Sequence, residues 1–391
     1  MRDHKSVYSA LALGCAGTFG LAACGGGGDG GTPQASQGTL QVSMTDAPAC
    51  GFDHVFVTVN KVRVNGNANV DENGSGWVDI PVSPAQRIDL LSLTNGVLAT
   101  LGKTALPAGT YQQIRLLLTP NAGNSLANSV VPTGGTETAL DTPSAIQSGI
   151  KIIRPFTVAP DTLTDLVLDF DACKSVVTRG NGGYNLKPVV TALPVVVSGK
   201  VTGMLTAAEA GAQVYAERNG VVVKATVADS LGAFTLSPIE QSSTNGNVDV
   251  VIVPASRAVG IVRSVPVVAG ASTVVSTSGA PIDLPASTVN TVSGSMSPAS
   301  AAGSLRALQL TGGNNYTIAS ATANSTTGAY SLNLPTASPS VGTYQATLPI
   351  ALFPDVSAAG KYTIEATSAS GTIQSQPVNV GAGSVTQNFA F

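Results

Sequence analysis

Apolar and polar residues alternate along much of this chain, and this alternation is the strongest constraint on its fold. Leu40, Val42 and Met44 fall on one face of an extended segment, and the polar residues between them fall on the other. A period of two is typical of a strand with one buried face. Valine- and threonine-rich runs separated by Gly, Pro and Asn continue along the chain. We therefore expect an all-β protein.

The amino-terminal segment resembles the export signal of a bacterial lipoprotein. Arg2 and Lys5 precede an apolar stretch over residues 7–21, which is too short to span a bilayer comfortably. The stretch ends in Leu21-Ala22-Ala23-Cys24, which resembles a lipobox. A buried core helix is the alternative, but the glycines within the stretch and the Gly-rich run after Cys24 argue against it.

The lipobox resemblance implies a location in the cell envelope. It implies removal of residues 1–23 as a signal peptide and lipidation of Cys24, which gives a membrane anchor. Several acyl chains anchor a protein durably, whereas a single chain binds only marginally. Gly25 resembles the residue found in lipoproteins sent to the outer membrane, facing either the periplasm or the exterior. Residues 24–38 are predicted to form a Gly-rich tether.

The remaining cysteines suggest an oxidising compartment. Cys15 leaves with the predicted signal and Cys24 carries the predicted lipid, so Cys50 and Cys173 remain. Two cysteines in an exported chain are best interpreted as one disulfide, and two free buried thiols are the alternative. A thiol catalyst or a metal site is less consistent with the sequence, because no Cys or His residues cluster nearby.

The alternation changes phase once in the first half of the chain. Val57 and Val59 share one parity, whereas Val62 and Val64 have the other. A β-bulge near Asn60-Lys61 would reconcile the two. The polar residues 65–76 are then predicted to form a solvated hairpin loop.

Three motifs carry a resemblance to a known family. They are Thr45-Asp46-Ala47-Pro48, Ala108-Gly109-Thr110-Tyr111 and Leu168-Asp169-Phe170-Asp171-Ala172. In combination they resemble the bacterial lipoprotein family catalogued as domain of unknown function 4382. The resemblance covers about residues 38–192 and implies a β-rich envelope domain over residues 39–192. It implies no particular activity.

An acidic strand face is the best candidate for chemistry in this domain. Asp165, Asp169 and Asp171 share one parity along a strand predicted from residue 163 to residue 170, opposite an apolar face. Paired carboxylates bind cations or act as acid and base. The interpretation that we favour is that basic residues of neighbouring strands form cross-strand ion pairs with them. These basic residues are Arg115, Lys151 and Arg154.

The second half of the chain contains an internal repeat. Val197-Ser198-Gly199-Lys200 recurs as Val292-Ser293-Gly294-Ser295, and residues 231–236 recur as residues 327–332. A repeat of roughly 95–100 residues suits a β-sandwich and is too long for a solenoid unit. The first repeat resembles the carboxypeptidase regulatory-like, or prealbumin-like, domain, and the second repeat is more divergent.

We therefore expect two independent immunoglobulin-like or prealbumin-like β-sandwiches after the first domain. They are predicted over residues 195–278 and 288–391. A linker is predicted near residues 276–289 and a hinge near residues 192–194.

The prealbumin-like resemblance implies glycan binding as an alternative function, because that fold is grouped with carbohydrate-binding-like sandwiches. Sugar-binding platforms usually need exposed aromatic rings, although core packing is the commoner fate of such rings. The rings available in the repeats are Tyr215, Phe234, Tyr316, Tyr330, Tyr344 and Phe353.

Several function classes do not fit the sequence. The net charge is −3 and no basic cluster occurs, so we expect no nucleic-acid partner. After signal removal His54 is the only histidine, so no histidine pair offers a zinc site. The sequence contains no Gly-x-Ser-x-Gly elbow and no phosphate-binding Gly-Lys-Ser/Thr motif. We expect no cofactor.

The sequence favours a non-enzymatic envelope lipoprotein that presents β-domains for structural or adhesive contacts. Its expected partners are the membrane, through the lipid, and a glycan or an envelope protein. Two alternatives remain. One is a glycan-binding lipoprotein that uses a sandwich domain, and the other is a glycan-acting enzyme that uses carboxylates.

Overall fold

The computed structural model describes residues 36–47, 51–123, 125–179, 182–241 and 246–391. The predicted signal peptide, the predicted lipidation site Cys24, most of the tether and Cys50 lie outside the described residues. No helix within the described ranges combines the length and apolar character needed to cross a membrane. Strands dominate, which confirms the predicted all-β fold class.

The described residues of the first domain form twelve strands and two short α-helices. Its strands are β1 (Gln37–Ala47), β2 (Phe52–Asn65), β3 (Val78–Asp89), β4 (Ala99–Pro107), β5 (Gly109–Leu118), β6 (Ser129–Pro132), β7 (Thr138–Asp141), β8 (Ile150–Val158), β9 (Leu163–Asp171), β10 (Val176–Thr178), β11 (Tyr184–Leu186) and β12 (Val190–Pro194). Its helices are α1 (Pro143–Gln147) and α2 (Ala172–Ser175).

These strands form two sheets that share one core. One sheet has the order β12-β9-β1-β4, and the other has the order β10-β11-β7-β6-β2-β5-β8, with β3 also paired to β2. Strand β1 lies parallel to β9. Leu40, Val42 and Met44 of β1 are fully buried in this core, as their alternation predicts. The register of β2 shifts between Val59 and Lys61, which confirms the predicted bulge.

The carboxyl-terminal half contains the two repeats. The strands of the first repeat are β13 (Ser198–Met204), β14 (Gln213–Arg218), β15 (Val221–Val227), β16 (Ala233–Glu240), β17 (Val248–Val253), β18 (Gly260–Val265) and β19 (Ser272–Val274). Those of the second repeat are β20 (Val289–Ser297), β21 (Ser304–Thr311), β22 (Asn314–Thr322), β23 (Ala329–Pro335), β24 (Ser340–Thr343), β25 (Phe353–Pro354), β26 (Lys361–Thr367), β27 (Ile373–Asn379), β28 (Val385–Thr386) and β29 (Phe389–Ala390). Short 3₁₀ helices occupy Leu90–Ser92, Val195–Val197, Ala207–Glu209, Ala299–Ala301 and Val356–Ala358.

The repeated sequence motifs occupy equivalent strands. In the first repeat, β13 pairs antiparallel with β16 and parallel with β19. In the second, β20 pairs antiparallel with β23 and parallel with β28. Each repeat also has an antiparallel sheet, β15-β14-β17-β18 in the first and β22-β21-β26-β27 in the second. The internal repeat of the sequence therefore corresponds to a repeat of strand pairings.

The two repeats are not independent, and the prediction of independent modules is wrong. Strand β24 of the second repeat pairs in parallel with β18, and with β25 it extends the sheet of the first repeat to six strands. Ile350 from the second repeat is buried in the core of the first. Val251 from the first repeat is buried in the core of the second. Each repeat therefore completes the core of the other.

The predicted linker and hinge are also built into the fold. Ile282 and Leu284, within the predicted linker, are buried in the core of the first repeat. The predicted hinge at residues 192–194 belongs to β12, which pairs antiparallel with β9. Backbone hydrogen bonds therefore hold a segment that the sequence suggests is free to bend. The domain boundaries themselves remain predictions.

A buried carboxyl group lies where the two repeats meet. Glu217 on β14 is 1% exposed, and the backbone N–H of Thr317 on β22 donates to its Oε2 at 3.1 Å. Its Oε1 has no hydrogen-bond partner among the described residues. Burial raises the pKa of Glu217 to about 8; Asp249 adds to the rise, while the Thr317 N–H and Arg306 oppose it. The carboxyl is therefore mostly protonated in the folded protein at neutral pH.

The stability of the protein should consequently fall as the pH rises. The folded chain holds the Glu217 proton more tightly than the unfolded chain does, because an unfolded Glu has a pKa of about 4.3. The resulting stability is fully present below that pH and is lost as the pH rises through about 8. In urea unfolding we expect the slope contributed by Glu217 to approach about 1.4 kcal/mol per pH unit. Glu217→Gln should remove this contribution.

Glu72→Gln is the matched control, because the Glu72 side chain is 41% exposed. This variant should keep the wild-type slope. Equal slopes in the wild type and in Glu217→Gln would contradict the prediction.

Candidate functional site

The three predicted ligand aspartates lie on β9, a central strand of the four-stranded sheet. Strand β9 pairs in parallel with β1 and antiparallel with β12. Leu166, Leu168 and Phe170 face the core, so the opposite parity of β9 carries the aspartates away from it. The predicted two-faced strand is therefore present.

Asp169 forms an ion pair with a residue of the first repeat. The Nζ of Lys224 on β15 lies 2.7 Å from Asp169 Oδ1, and the side chains of Lys224 and Asp169 are 2% and 18% exposed. Burial raises the pKa of Asp169 above its usual value, and the nearby Lys224 offsets only part of this rise. Asp169 therefore holds the first domain against the first repeat through this ion pair.

Asp171 and Asp165 have different surroundings. Asp171 caps α2, because its Oδ1 accepts from the backbone N–H of Lys174 at 3.0 Å. Its Oδ2 lies 2.7 Å from Lys174 Nζ. Asp165 Oδ1 is buried and has no hydrogen-bond partner among the described residues. Within the described ranges, no group of three or more His, Cys, Asp or Glu residues could hold a metal ion.

The predicted cross-strand partners of these aspartates are wrong. Arg115 lies on β5, and Lys151 and Arg154 lie on β8, whereas β9 belongs to the other sheet of the domain. Arg115 donates to the Ser148 carbonyl oxygen at 2.6 Å. Arg154 lies 2.5 Å from Glu240 of the first repeat. The prediction of ion pairing is correct in kind for Asp169, but its partner is Lys224.

A further carboxyl group, Asp46, lies buried at the end of β1. It is 1% exposed, and its Oδ1 accepts from the backbone N–H of Ala172 at 2.9 Å. Burial raises the pKa of Asp46 well above its usual value; Asp171 and Asp169 add to the rise, and the Ala172 N–H opposes it. The sequence carried a signal for this position, because Asp46 shares the parity of the buried Met44.

Asn95 forms a second contact between the first domain and the first repeat, which its local sequence does not predict. Its backbone N–H donates to Thr226 Oγ1 at 2.8 Å, and its Oδ1 accepts from the Thr235 N–H at 2.8 Å. Asn95 has a φ of 58°, a left-handed conformation that asparagine tolerates better than most residues. The Asn95-Gly96 pair signals a turn in the sequence, but the acceptor and donor in the first repeat depend on the fold.

A cleft adjoins the acidic end of β9. One cavity of about 730 Å³ is bordered by Phe52 and Tyr184 of the first domain and by Ser320 and Tyr330 of the second repeat. A neighbouring cavity of about 490 Å³ shares Lys174 and Arg306 with it and reaches the first repeat. All three parts of the chain therefore meet at this cleft.

The charged side chains at the cleft are paired. Lys174 lies 2.7 Å from Asp171, and Arg306 lies 2.6 Å from Glu365. Ser, Thr and Asn side chains supply other polar groups along the walls. The rings of Phe52 and Tyr184 pack edge to face, with centroids 5.6 Å apart. The cleft can therefore accept an uncharged polar molecule with one apolar face.

Most of the aromatic residues proposed from the sequence as sugar contacts have structural roles. Phe234, Tyr316 and Tyr330 are buried in the cores of the repeats. Tyr215 and Tyr344 are partly buried against those cores. Phe353 is exposed over 69% of its surface. Phe353 is thus the member of the predicted set that is most open to a ligand.

The comparisons with known proteins concern the first domain most directly. The family described as "Domain of unknown function (DUF4382)" matches residues 37–188, which confirms the resemblance found in the three motifs. No curated protein matches the chain.

Similar solved structures include a Bacillus protein and two pilins, all at low similarity. "The Bacillus anthracis TIE protein" is 10% identical with a TM-score of 0.18, and the match covers 91% of this chain and 51% of that protein. A streptococcal ancillary pilin is 8% identical with a TM-score of 0.17, covering 90% and 98%. The Corynebacterium diphtheriae major pilin SpaA is 10% identical with a TM-score of 0.18, covering 90% and 99%. The chain spans about half the length of the Bacillus protein. At these TM-scores the similarities carry no information about the function of the present chain.

Breaking the Lys224–Asp169 pair should destabilise the protein far more than breaking an exposed pair. Lys224→Met leaves a largely buried carboxyl without its counter-ion, and we expect a loss of about 3 kcal/mol or more in the free energy of unfolding. Chemical denaturation of Lys224→Met, Asp169→Asn and the double variant gives the coupling between the two side chains.

The exposed pair of Lys61 and Asp79, separated by 2.8 Å, is the matched control. Lys61→Met should cost about 1 kcal/mol or less. A Lys224→Met variant no less stable than Lys61→Met would show that the buried pair has no structural role.

Proposed function

We propose that the chain is a non-enzymatic cell-envelope lipoprotein that presents its β-domains for structural or adhesive contacts. The observation that carries this proposal is that two of the three aspartates predicted as ligands have structural roles. Asp169 neutralises Lys224 of the first repeat, and Asp171 caps α2. These roles favour a scaffold over an enzyme that depends on the same carboxylates.

The proposed anchor is the lipid on Cys24, in the Leu21-Ala22-Ala23-Cys24 motif. The short apolar stretch before it and the Gly-rich run after it support cleavage and lipidation at this cysteine. Gly25 supports the outer membrane as the destination. The proposed partners are this membrane and a glycan or protein of the envelope.

We also propose that Cys50 and Cys173 form a disulfide. Cys50 lies outside the described residues. The parallel pairing of β1 and β9 places Ala47 opposite Asp171, so the two strands finish side by side at the same end of the sheet. Gly51 and Cys173 border the same cavity. This proximity supports a bridge between the two segments.

Lipid labelling in the native host tests the anchor. We expect the wild-type chain to incorporate labelled palmitate and to sediment with the outer membrane. Cys24→Ala should lose the label and keep its signal peptide, because the modified sulfur and the cleavage site are both lost. Cys15→Ala is the matched control and should behave like the wild type. Equal labelling of Cys24→Ala and the wild type would refute the proposed anchor.

Glycan binding is the second candidate function, and the cleft is the observation that favours it. Paired charges, hydroxyl-bearing walls and the Phe52–Tyr184 ring pair suit a neutral sugar, whose ring has polar edges and an apolar face. The cavity of about 730 Å³ lies within the usual size range of small-molecule sites.

Calorimetric titration with maltotriose and chitotriose tests this function. We expect saturable binding that Tyr184→Ala weakens by about tenfold or more, which corresponds to about 1.4 kcal/mol. Phe353→Ala is the control, because its exposed ring lies outside the lining of the cleft. Loss of binding in Phe353→Ala alone would transfer the sugar site to the sandwich surface. No binding of either sugar would count against a site for these glycans in the cleft.

A further inference from the structure

A separate cavity of about 600 Å³ lies where the first domain meets the first repeat. Strands β8 and β12 each lie at the edge of their own sheet and form one wall. Residues of β14, β15 and β16 form the other wall. Strand edges carry backbone groups that no neighbouring strand pairs, so both polar backbone and side chains are available here.

The charged groups around this cavity are not balanced. Arg154 is neutralised by Glu240, and Lys224 neutralises Asp169. Lys151 borders the cavity and forms no ion pair with the described residues. Arg218 donates from its Nη2 to the main-chain oxygen of Glu240. The lining therefore holds three cations, Lys151, Arg154 and Arg218, against two carboxylates, Asp169 and Glu240, in a chain whose net charge is −3.

One of these cations also has an unused donor. Arg218 Nε is buried and has no hydrogen-bond partner among the described residues. That nitrogen is closed off from solvent, so a bound anion would contact the terminal Nη groups of Arg218 instead. The planar arrangement of these groups matches the geometry of phosphate oxygens.

We propose that this cavity binds a phosphate group carried by a small polar molecule. A phosphate monoester has close to two negative charges at neutral pH, and the excess of cations in the lining attracts it. Its oxygens would accept from Arg218 and interact with Lys151 and Arg154. The cavity is larger than a phosphate requires, and Leu193 and Val223 line it beside the charged groups. The remaining space holds the organic part of the ligand.

The proposal goes beyond the scaffold function and does not depend on the lipid anchor. A free sugar phosphate and a phospholipid headgroup both present phosphate oxygens, the first as a monoester and the second as a singly charged diester. Glucose 1-phosphate, inorganic phosphate and phosphatidylglycerol vesicles are therefore the probes, with glucose and phosphatidylcholine vesicles as references. Titrations use the full chain at low ionic strength, where charge interactions are least screened.

We expect saturable binding of glucose 1-phosphate and none of glucose. Lys151→Gln should weaken binding by about five- to tenfold, because it removes one charge from the cavity. Lys103→Gln is the matched control, because it removes the same charge from the exposed part of β4 and should leave binding unchanged. Arg218→Gln should abolish binding, and its melting curve shows whether the variant is folded.

The remaining outcomes also decide the proposal. Binding of inorganic phosphate alone or of phosphatidylglycerol vesicles alone, if weakened by Lys151→Gln, supports the site and identifies the source of the phosphate. Because Lys151 is exposed, we expect Lys151→Gln to fold. Its comparison with Lys103→Gln therefore tests the site even if Arg218→Gln unfolds. Failure of all three probes to saturate, or equal binding by Lys151→Gln and Lys103→Gln, overturns the proposal.

Discussion

The packing of the first domain against the first repeat depends on how the charge of Lys224 is balanced. Its ammonium group is almost fully removed from solvent, and such a transfer costs several kcal/mol unless a counter-ion lies close by. Asp169 meets this need at 2.7 Å, but only when the outer face of β9 lies against β15. Asn95 adds directional hydrogen bonds to Thr226 and Thr235 at the same junction. These requirements together favour one arrangement of the two domains.

The junction between the two repeats also buries an ionisable group, but no counter-ion within the described ranges neutralises it. Glu217 is buried there, and its Oε1 has no hydrogen-bond partner among the described residues. Its carboxyl keeps its proton at neutral pH, which avoids the cost of a buried charge. The shared sheet supplies the continuity, because β24 of the second repeat completes a sheet of the first. The carboxyl of Asp169 is therefore balanced by an ammonium group at one junction, and the carboxyl of Glu217 is neutralised by a proton at the other. Both leave little freedom for the domains to move apart.

Local pattern was enough to predict much of this architecture, because strand periodicity and bulges are encoded over a few residues. The buried face of β1, the bulge after Val59 and the strand bearing Asp169 and Asp171 all follow from residue parity. The partner of Asp169 does not, because Lys224 is brought to it by the packing of two domains. The pairing of β24 likewise depends on a contact between segments far apart in sequence. For the candidate site, the positions of the aspartates were therefore predictable, whereas their roles were not.

The central claim is that the three β-rich parts unfold together as one cooperative body. Residues Ser36–Phe391 form one compact unit. Differential scanning calorimetry of the chain from Ser36 onward tests this claim most directly. The account predicts a single transition with equal calorimetric and van't Hoff enthalpies. Two or three separable transitions would contradict it, because they would show that the parts unfold independently.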